Sequence, residues 1–145
     1  MYSLYTVPID ANTYVMNKRI ADFVAIHMAK PYFSSTYVQM YSRAVVCQDD
    51  GKIIGCALLR DMPDGDSGNE INIECLCVHE KRRNSGVGTD IVQYAVDDTK
   101  PQLPVLWVDK CSRHADLKKF YESNGFEVVL DQKKDMKMRL KRVAH

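Results

Sequence analysis

The segment Arg83-Asn84-Ser85-Gly86-Val87-Gly88 sets an R-x-x-G-x-G pattern between a strand-like run ending at Val78 and a helical pattern beginning near Gly86. In the first turn of a helix several backbone N–H groups lack an intrahelical partner, and the aligned peptide dipoles add partial positive charge. Such a turn attracts anions. Gly86 and Gly88 would let a diphosphate approach the amides with no Cβ in the way, and Lys81, Arg82 and Arg83 would add positive field. Taken alone, the pattern equally describes a glycine-bearing strand-to-helix turn with a solvated basic run. It is not a nucleotide-type P-loop, because the G-x-x-x-x-G-K signature is absent, and its spacing and place in the chain differ from the dinucleotide fingerprint.

Upstream, Glu74 shares a strand face with Glu70 and Asn72, since side chains alternate along a strand. With Asp61, Asp64 and Asp66 these carboxylates make the region before the loop acidic, a field that would draw in a cation. A solvated, turn-rich segment has the same composition. Cys47, Cys56, Cys75, Cys77 and Cys111 form no C-x-x-C pair, and four of them lie in apolar runs where Cys acts as a small hydrophobe. Neither a disulfide framework nor a zinc site is expected.

These residues need a scaffold to bring them together. Tyr2 to Val7 reads as a first strand, ended by Pro8. Asn12 is placed to cap a helix with Met16, Ile20, Phe23, Val24, His27 and Met28 at helical spacing, closed by Pro31. A short helix follows around Ser35 to Tyr41. Arg43 to Cys47 and Lys52 to Leu59 read as strands joined at Asp49-Asp50-Gly51, a hairpin signal. Asp61 to Asn69, rich in Gly, Pro and Asp, reads as a loop, and Glu70 to Val78 as the strand feeding the glycine pattern.

Beyond it, Ile91, Val92, Ala95 and Val96 mark one face of a helix, and Leu103 to Val108 a buried strand. Leu117, Phe120 and Tyr121 set a further helix that stops at Asn124-Gly125, with Gly125 suited to a left-handed conformation and Phe126 packing back on Tyr121. Phe126 to Leu130 and Met136 to Arg142 form a closing hairpin. The order β-α-α-β-β-β-α-β-α-β-β predicts an α+β fold, a mixed sheet flanked by helices. A chain of 145 residues without a composition break fits a single domain, 1–145.

Leu76-x-Val78-x-x-x-x-Arg83-x-x-Gly86-x-Gly88, followed by an apolar helix, resembles the central motif of the GNAT superfamily of N-acetyltransferases. Downstream, His114-x-x-Leu117-x-x-Phe120-Tyr121-x-x-x-Gly125-Phe126 resembles that family's second motif, in the matching order. The chain departs from the pattern at Glu80, where Pro is common, at His114, where Asn is common, and at Leu117, where a small residue is common. The resemblance implies a mostly antiparallel sheet of about seven strands with about four helices.

It also implies acetyl-CoA as co-substrate, with no metal. Backbone groups at Leu76, Cys77 and Val78 would hold the pantetheine arm, and the Val78 N–H would polarise the thioester carbonyl. Amides of Arg83, Asn84, Ser85, Gly86, Val87, Gly88 and Thr89 would bind the diphosphate, with His114 beside the pantetheine. Glu74, at the offset of a glutamate found in diamine and polyamine acetyltransferases of the family, would take the ammonium proton directly or through water. Tyr121, at the family's acid position, would hydrogen-bond the departing thiolate. An acyl-cysteine on Cys75 or Cys77 is the lesser route, and direct transfer is preferred.

The most favoured acceptor is a small diamine or polyamine. A protein lysine or N-terminal amine, and a non-catalytic acyl-CoA-binding module, are the alternatives. Twenty basic against nineteen acidic residues give no global charge that would argue for nucleic acid. No apolar run approaches the ~20 residues of a membrane span, and no signal peptide is visible. The expectation is a reduced, cytoplasmic protein, with a homodimer left open. Lys133, Lys134, Lys137, Arg139, Lys141 and Arg142 read as a charged strand face that blocks edge pairing, and His27 and Trp107 as core residues.

Overall fold

A computed structural model describes residues 1–110 and 113–141. Cys111 and Arg142, named above, lie outside the described residues. The apolar and β-branched runs become strands β1 (Ser3–Pro8), β2 (Arg43–Asp49), β3 (Lys52–Gly65), β4 (Gly68–Val78), β5 (Leu103–Asp109), β6 (Phe126–Asp131) and β7 (Asp135–Leu140). The helices are α1 (Tyr14–His27), α2 (Ser35–Val38), α3 (Val87–Asp98) and α4 (His114–Ser123). One seven-stranded sheet runs in the order β1-β2-β3-β4-β5-β7-β6. All its neighbours are antiparallel except β4 and β5. The α+β expectation and the element order both hold.

The sheet separates two apolar layers. On one face Ile71, Ile73, Leu106 and Val108 meet Val87, Ile91, Val92 and Ala95 of α3 and Tyr121 of α4. On the other, Ala44, Val46, Cys56, Leu58 and Cys77 meet Ile20, Phe23 and Val24 of α1 and Val38 of α2. Gly55 of β3 is where α3 comes closest: a Cβ there would lie 2.6 Å from Ile91 Cδ1. The β2–β3 hairpin closes on Asp50 and Gly51, both at positive φ (51° and 73°), the geometry that gives a two-residue turn the twist of its strands.

Several expectations are corrected. The cap of the first helical segment is Asp10, whose carboxylate accepts from Asn12 N–H while the Thr13 hydroxyl accepts from Asp10 N–H. Asn17, not read as an inner residue, is buried and ties this entry together through Asp10 O and Thr13. The α2 helix is a single turn. Asp61–Asn69 is not a loop: β3 and β4 continue as a two-stranded arm and turn only at Asp66-Ser67. Residues 61–64 are exposed, so no buried face imposes alternation there, and the ladder skips Pro63 and Asp64.

The basic face of the closing hairpin also differs. β7 lies between β5 and β6 rather than at an edge, and Lys137 is buried. Its ammonium lies 3.2 Å from Asp66 and 3.7 Å from Glu70. Arg139 binds the Ser67 hydroxyl and faces Glu127. These contacts clasp the arm to β7. Trp107 is not a core residue, being 44% exposed. His27 is half-buried between Phe23 and His79, each ring 4.4 Å away.

Candidate active site

The site is built on a sheet that stops pairing. β4 and β5 share three registered pairs, Glu70–Leu103, Ile71–Pro104 and Asn72–Val105. Past Asn72 the strands part, leaving the edge of β4 from Ile73 to Val78 without a strand partner on the β5 side. In the middle of that edge sits a bulge: β3 pairs Leu58 with Glu74 and Cys56 with Cys77, so Cys75 and Leu76 together face Ala57. Cys75 takes φ +52°, a left-handed conformation that costs a non-glycine residue roughly 1–2 kcal/mol.

The bulge shifts the phase of the strand. Before it, Ile71 and Ile73 enter the α3 layer; after it, Leu76 and Val78 do, while Cys75 and Cys77 turn to the α1 layer. Backbone direction follows from alternation. His79 N–H donates to Ile54 O on β3 at 2.8 Å, so Cys77 also faces β3, and Leu76 and Val78 direct their N–H groups to the open side. Of the three residues expected along the pantetheine, two therefore present amides to the opening.

The glycine loop leads from this edge into α3. Asn84 (φ 62°) and Gly86 (φ 91°) are both left-handed, and Gly86 is the N-cap residue, with no side-chain hydrogen bond capping the helix. The first intrahelical bond is Asp90 N–H to Gly86 O, which leaves the Val87, Gly88 and Thr89 amides without an intrahelical acceptor. Asp90, the acid of the first turn, is held by the Tyr2 hydroxyl, and that hydrogen bond lifts the Tyr2 phenol to about 12. A Cβ on Gly86 would meet nothing within 4 Å; one on Gly88 would touch Phe120 at 3.4 Å.

Two of the three basic side chains near the loop, Arg82 and Arg83, have structural partners. Arg82 pairs with Asp49 at 2.6 Å. Arg83 donates to Val78 O at 3.3 Å and to His27 O at 3.2 Å, tying the loop to β4 and to the end of α1. The Ser85 hydroxyl caps Arg82 O. With Arg82 and Arg83 engaged, what the loop offers an anion is backbone amide and the exposed Lys81.

Glu74 lies beside the bulge on the α1 face. Tyr41 OH donates to its Oε1 at 3.3 Å, Asn72 Nδ2 to its Oε2 at 3.1 Å, and Arg60 sits 3.5 Å from Oε2. The Arg60 guanidinium stacks over the Tyr41 ring, 5.0 Å from its centroid. Tyr41 OH is also 3.9 Å from Cys75 Sγ, and burial drives the Tyr41 phenol far above its ordinary value. Tyr41 and Arg60 were not singled out in the sequence. They arrive from the segment between α2 and β2 and from β3, and no local pattern links them to Glu74.

Tyr121 is on the opposite face, in the α3–α4 layer, with Phe120 and Phe126 rings edge-on at 5.1 and 5.9 Å. Burial raises its phenol to about 12. His114 occupies the first turn of α4. Burial also pushes the Cys75 thiol up and the Cys77 thiol to about 12, so neither carries appreciable thiolate at neutral pH. That weakens an acyl-cysteine route.

The acidic rim is mostly neutralised: Asp61 pairs with Arg43, Asp66 and Glu70 with Lys137, and Glu74 with Arg60. Among the described residues no cluster of His, Cys, Asp and Glu could hold a metal ion, and no helix is long and apolar enough to cross a membrane.

Residues 40–128 match the family model of the acetyltransferase (GNAT) domain. No curated protein sequence matches the chain. Solved structures share the fold. The aminoglycoside 6'-N-acetyltransferase from Enterococcus faecium is 17% identical with a TM-score of 0.69, over 97% of this chain and 98% of that one. The PaiA N-acetyltransferase from Thermoplasma acidophilum, solved in complex with coenzyme A, is 14% identical with a TM-score of 0.69, over 97% and 99%. An acyl-CoA N-acyltransferase from Pseudomonas aeruginosa is 15% identical with a TM-score of 0.69, over 97% and 100%.

Proposed function

The chain belongs to the acetyltransferase (GNAT) domain family, and from that premise we propose that it moves an acetyl group from acetyl-CoA directly to a primary amine, with a small diamine or polyamine as acceptor. The observation that carries this reading is the edge of β4 freed beyond the Asn72–Val105 pair, a stretch that contains Glu74, Leu76 and Val78.

The amides from Arg83 to Thr89 hold the diphosphate, Leu76 and Val78 pair with the pantetheine, and His114 stands beside it. The amine nitrogen attacks the thioester carbonyl carbon while the Val78 N–H stabilises the developing oxyanion. An alkylammonium with a pKa of about 10.4 must first lose a proton, and Glu74 accepts it, directly or through water. The C–S bond then breaks and coenzyme A leaves as thiolate.

Tyr121 meets that thiolate as a hydrogen-bond donor. Full proton transfer from a phenol at about 12 to a thiol near 8.5 would be uphill by roughly 5 kcal/mol. Tyr121→Phe is accordingly expected to lower kcat roughly 10- to 100-fold, a hydrogen bond to a charged group being worth about 1.5–3 kcal/mol. The hydroxyl should also give no descending limb in the kcat profile below pH 10; a limb lost in the Phe variant would make it a true acid.

The reading is tested by incubating the protein with acetyl-CoA and diamines, polyamines, aminoglycosides and peptide amines, and following free thiol. Saturable release with a diamine or polyamine is expected. Release only with peptides, or none with any amine, would overturn it. The loop has its own test. Gly86→Ala forces a Cβ onto a left-handed residue at a cost of roughly 1–2 kcal/mol, and should weaken coenzyme A binding about tenfold by calorimetry. Gly86→Asn, which tolerates that conformation better, should lose less.

A further inference from the structure

Trp107 is the chain's one tryptophan, and it is the exposed apolar residue of β5. Residues 103–106 and Val108 of β5 are buried, whereas Trp107 is 44% exposed. It lies two residues past Val105, the last β5 residue paired with β4. Were the ladder to continue, Trp107 would stand level with Glu74, two residues past Asn72. Instead the strands have parted, and the two residues flank the opening.

Two observations put both side chains on the same face. Leu106 and Val108 enter the α3–α4 layer, so alternation turns Trp107 to the other side. Its cross-strand partner Lys137 reaches Glu70, which shares a face with Asn72 and Glu74. Glu74 is thus held on the β3 side by Tyr41 and Arg60, with the Arg60 guanidinium over the Tyr41 ring, and Trp107 lies on the same face across the opening, toward β5. On this face Glu74 pairs with Arg60, and Glu70 and Asp66 with Lys137, while Asp109, two residues along β5 from Trp107, adds a further carboxylate.

We propose that Trp107 is the specificity-determining wall of the acceptor site, its indole face receiving a cationic amine across the opening from Glu74. The inference rests on the amine-acetyltransfer reading above and adds the group that selects the acceptor. A carboxylate on one side and a ring quadrupole on the other both attract an ammonium, and neither favours a neutral alcohol of the same shape. The Lys137 ammonium, close by on β7, is directed to Asp66 and Glu70 instead of to the indole face. A diamine suits the arrangement: one nitrogen, deprotonated by Glu74, attacks the thioester, while the second, still charged, rests on the indole.

Because there is one tryptophan, its emission reports on this wall directly. In saturating coenzyme A, 1,4-diaminobutane should quench or shift the emission saturably, and 1,4-butanediol should not. In turnover, Trp107→Leu should raise KM for 1,4-diaminobutane roughly 3- to 30-fold, with kcat changed less than about threefold and KM for acetyl-CoA unchanged. Trp107→Phe, which keeps a ring, should fall between. If the wild type turns over diamines and Trp107→Leu keeps its KM, the role of Trp107 is overturned while the function stands. Saturable quenching by the diamine without any thiol release would keep the wall and overturn the function. Neither quenching nor release would sink both.

Discussion

Glu74→Gln is expected to lower kcat/KM for the amine about 10²- to 10³-fold, with affinity for acetyl-CoA left within about twofold. The amide is nearly isosteric, and its oxygen can still accept the hydrogen bond that Tyr41 donates to Glu74. What it cannot do is accept a proton. At neutral pH only about one alkylamine molecule in 10³ is unprotonated, so a site without a base depends on that fraction. The signature is a pH profile: the Gln variant should gain nearly tenfold in rate per pH unit toward the acceptor's own pKa, while the wild type flattens earlier. A loss confined to KM, with the two profiles parallel, would make Glu74 an electrostatic docking group instead.

The parts of this site that were legible share a stretch of chain. Strand, loop and helix follow one another from Glu74 to Thr89, so the glycine spacing could report the free first-turn amides, while the left-handed turn at Gly86 came only with the structure. The bulge left a mark that went unread. Apolar residues fall at Ile71 and Ile73, then at Leu76 and Val78, a phase slip of one residue, and Cys75 absorbs it. A residue type with no preference for positive φ gives no warning of its own.

Partners assembled from distant elements were not legible. Tyr41 meets Glu74 across 33 residues, and Arg82 and Arg83, read as a field for the cofactor, are tied to Asp49, Val78 and His27.

The fold failed to show through where burial departs from the usual rule. Pro63, Gly65 and Gly68 made an arm of two strands look like a loop, because composition outweighed pairing that no apolar pattern records. Trp107 sits in a run of apolar residues, which describes a strand covered on both faces. Past Val105, however, β5 has lost its β4 neighbour and with it the cover on the α1 side. The same geometry that opens the site exposes the indole.

Lys137→Met is expected to cost about 3 kcal/mol of stability, lowering Tm by roughly 6–12 °C. Glu70 is 2% exposed, and the Lys137 ammonium, on a residue 8% exposed, is its cationic partner in the structure. One Glu70 oxygen accepts the Ser67 N–H at 2.9 Å, which helps but does not neutralise a buried carboxylate. Removing the lysine leaves that charge without compensation, and this penalty exceeds the modest net value of the intact pair.

Two controls separate charge from packing. Lys137→Met combined with Glu70→Gln removes both charges and should recover to within about 1 kcal/mol of wild type. Asp66→Asn removes only an exposed partner and should cost less than about 1 kcal/mol. Thermal melts of the four proteins decide between them: equal losses for Lys137→Met and the double variant would mean that the lysine stem, not its charge, holds the arm. Function should follow stability only in part. The ion pair clasps the arm to β7 beside Trp107, so Lys137→Met should raise KM for the amine while leaving coenzyme A binding, on the α3 side of the sheet, unchanged.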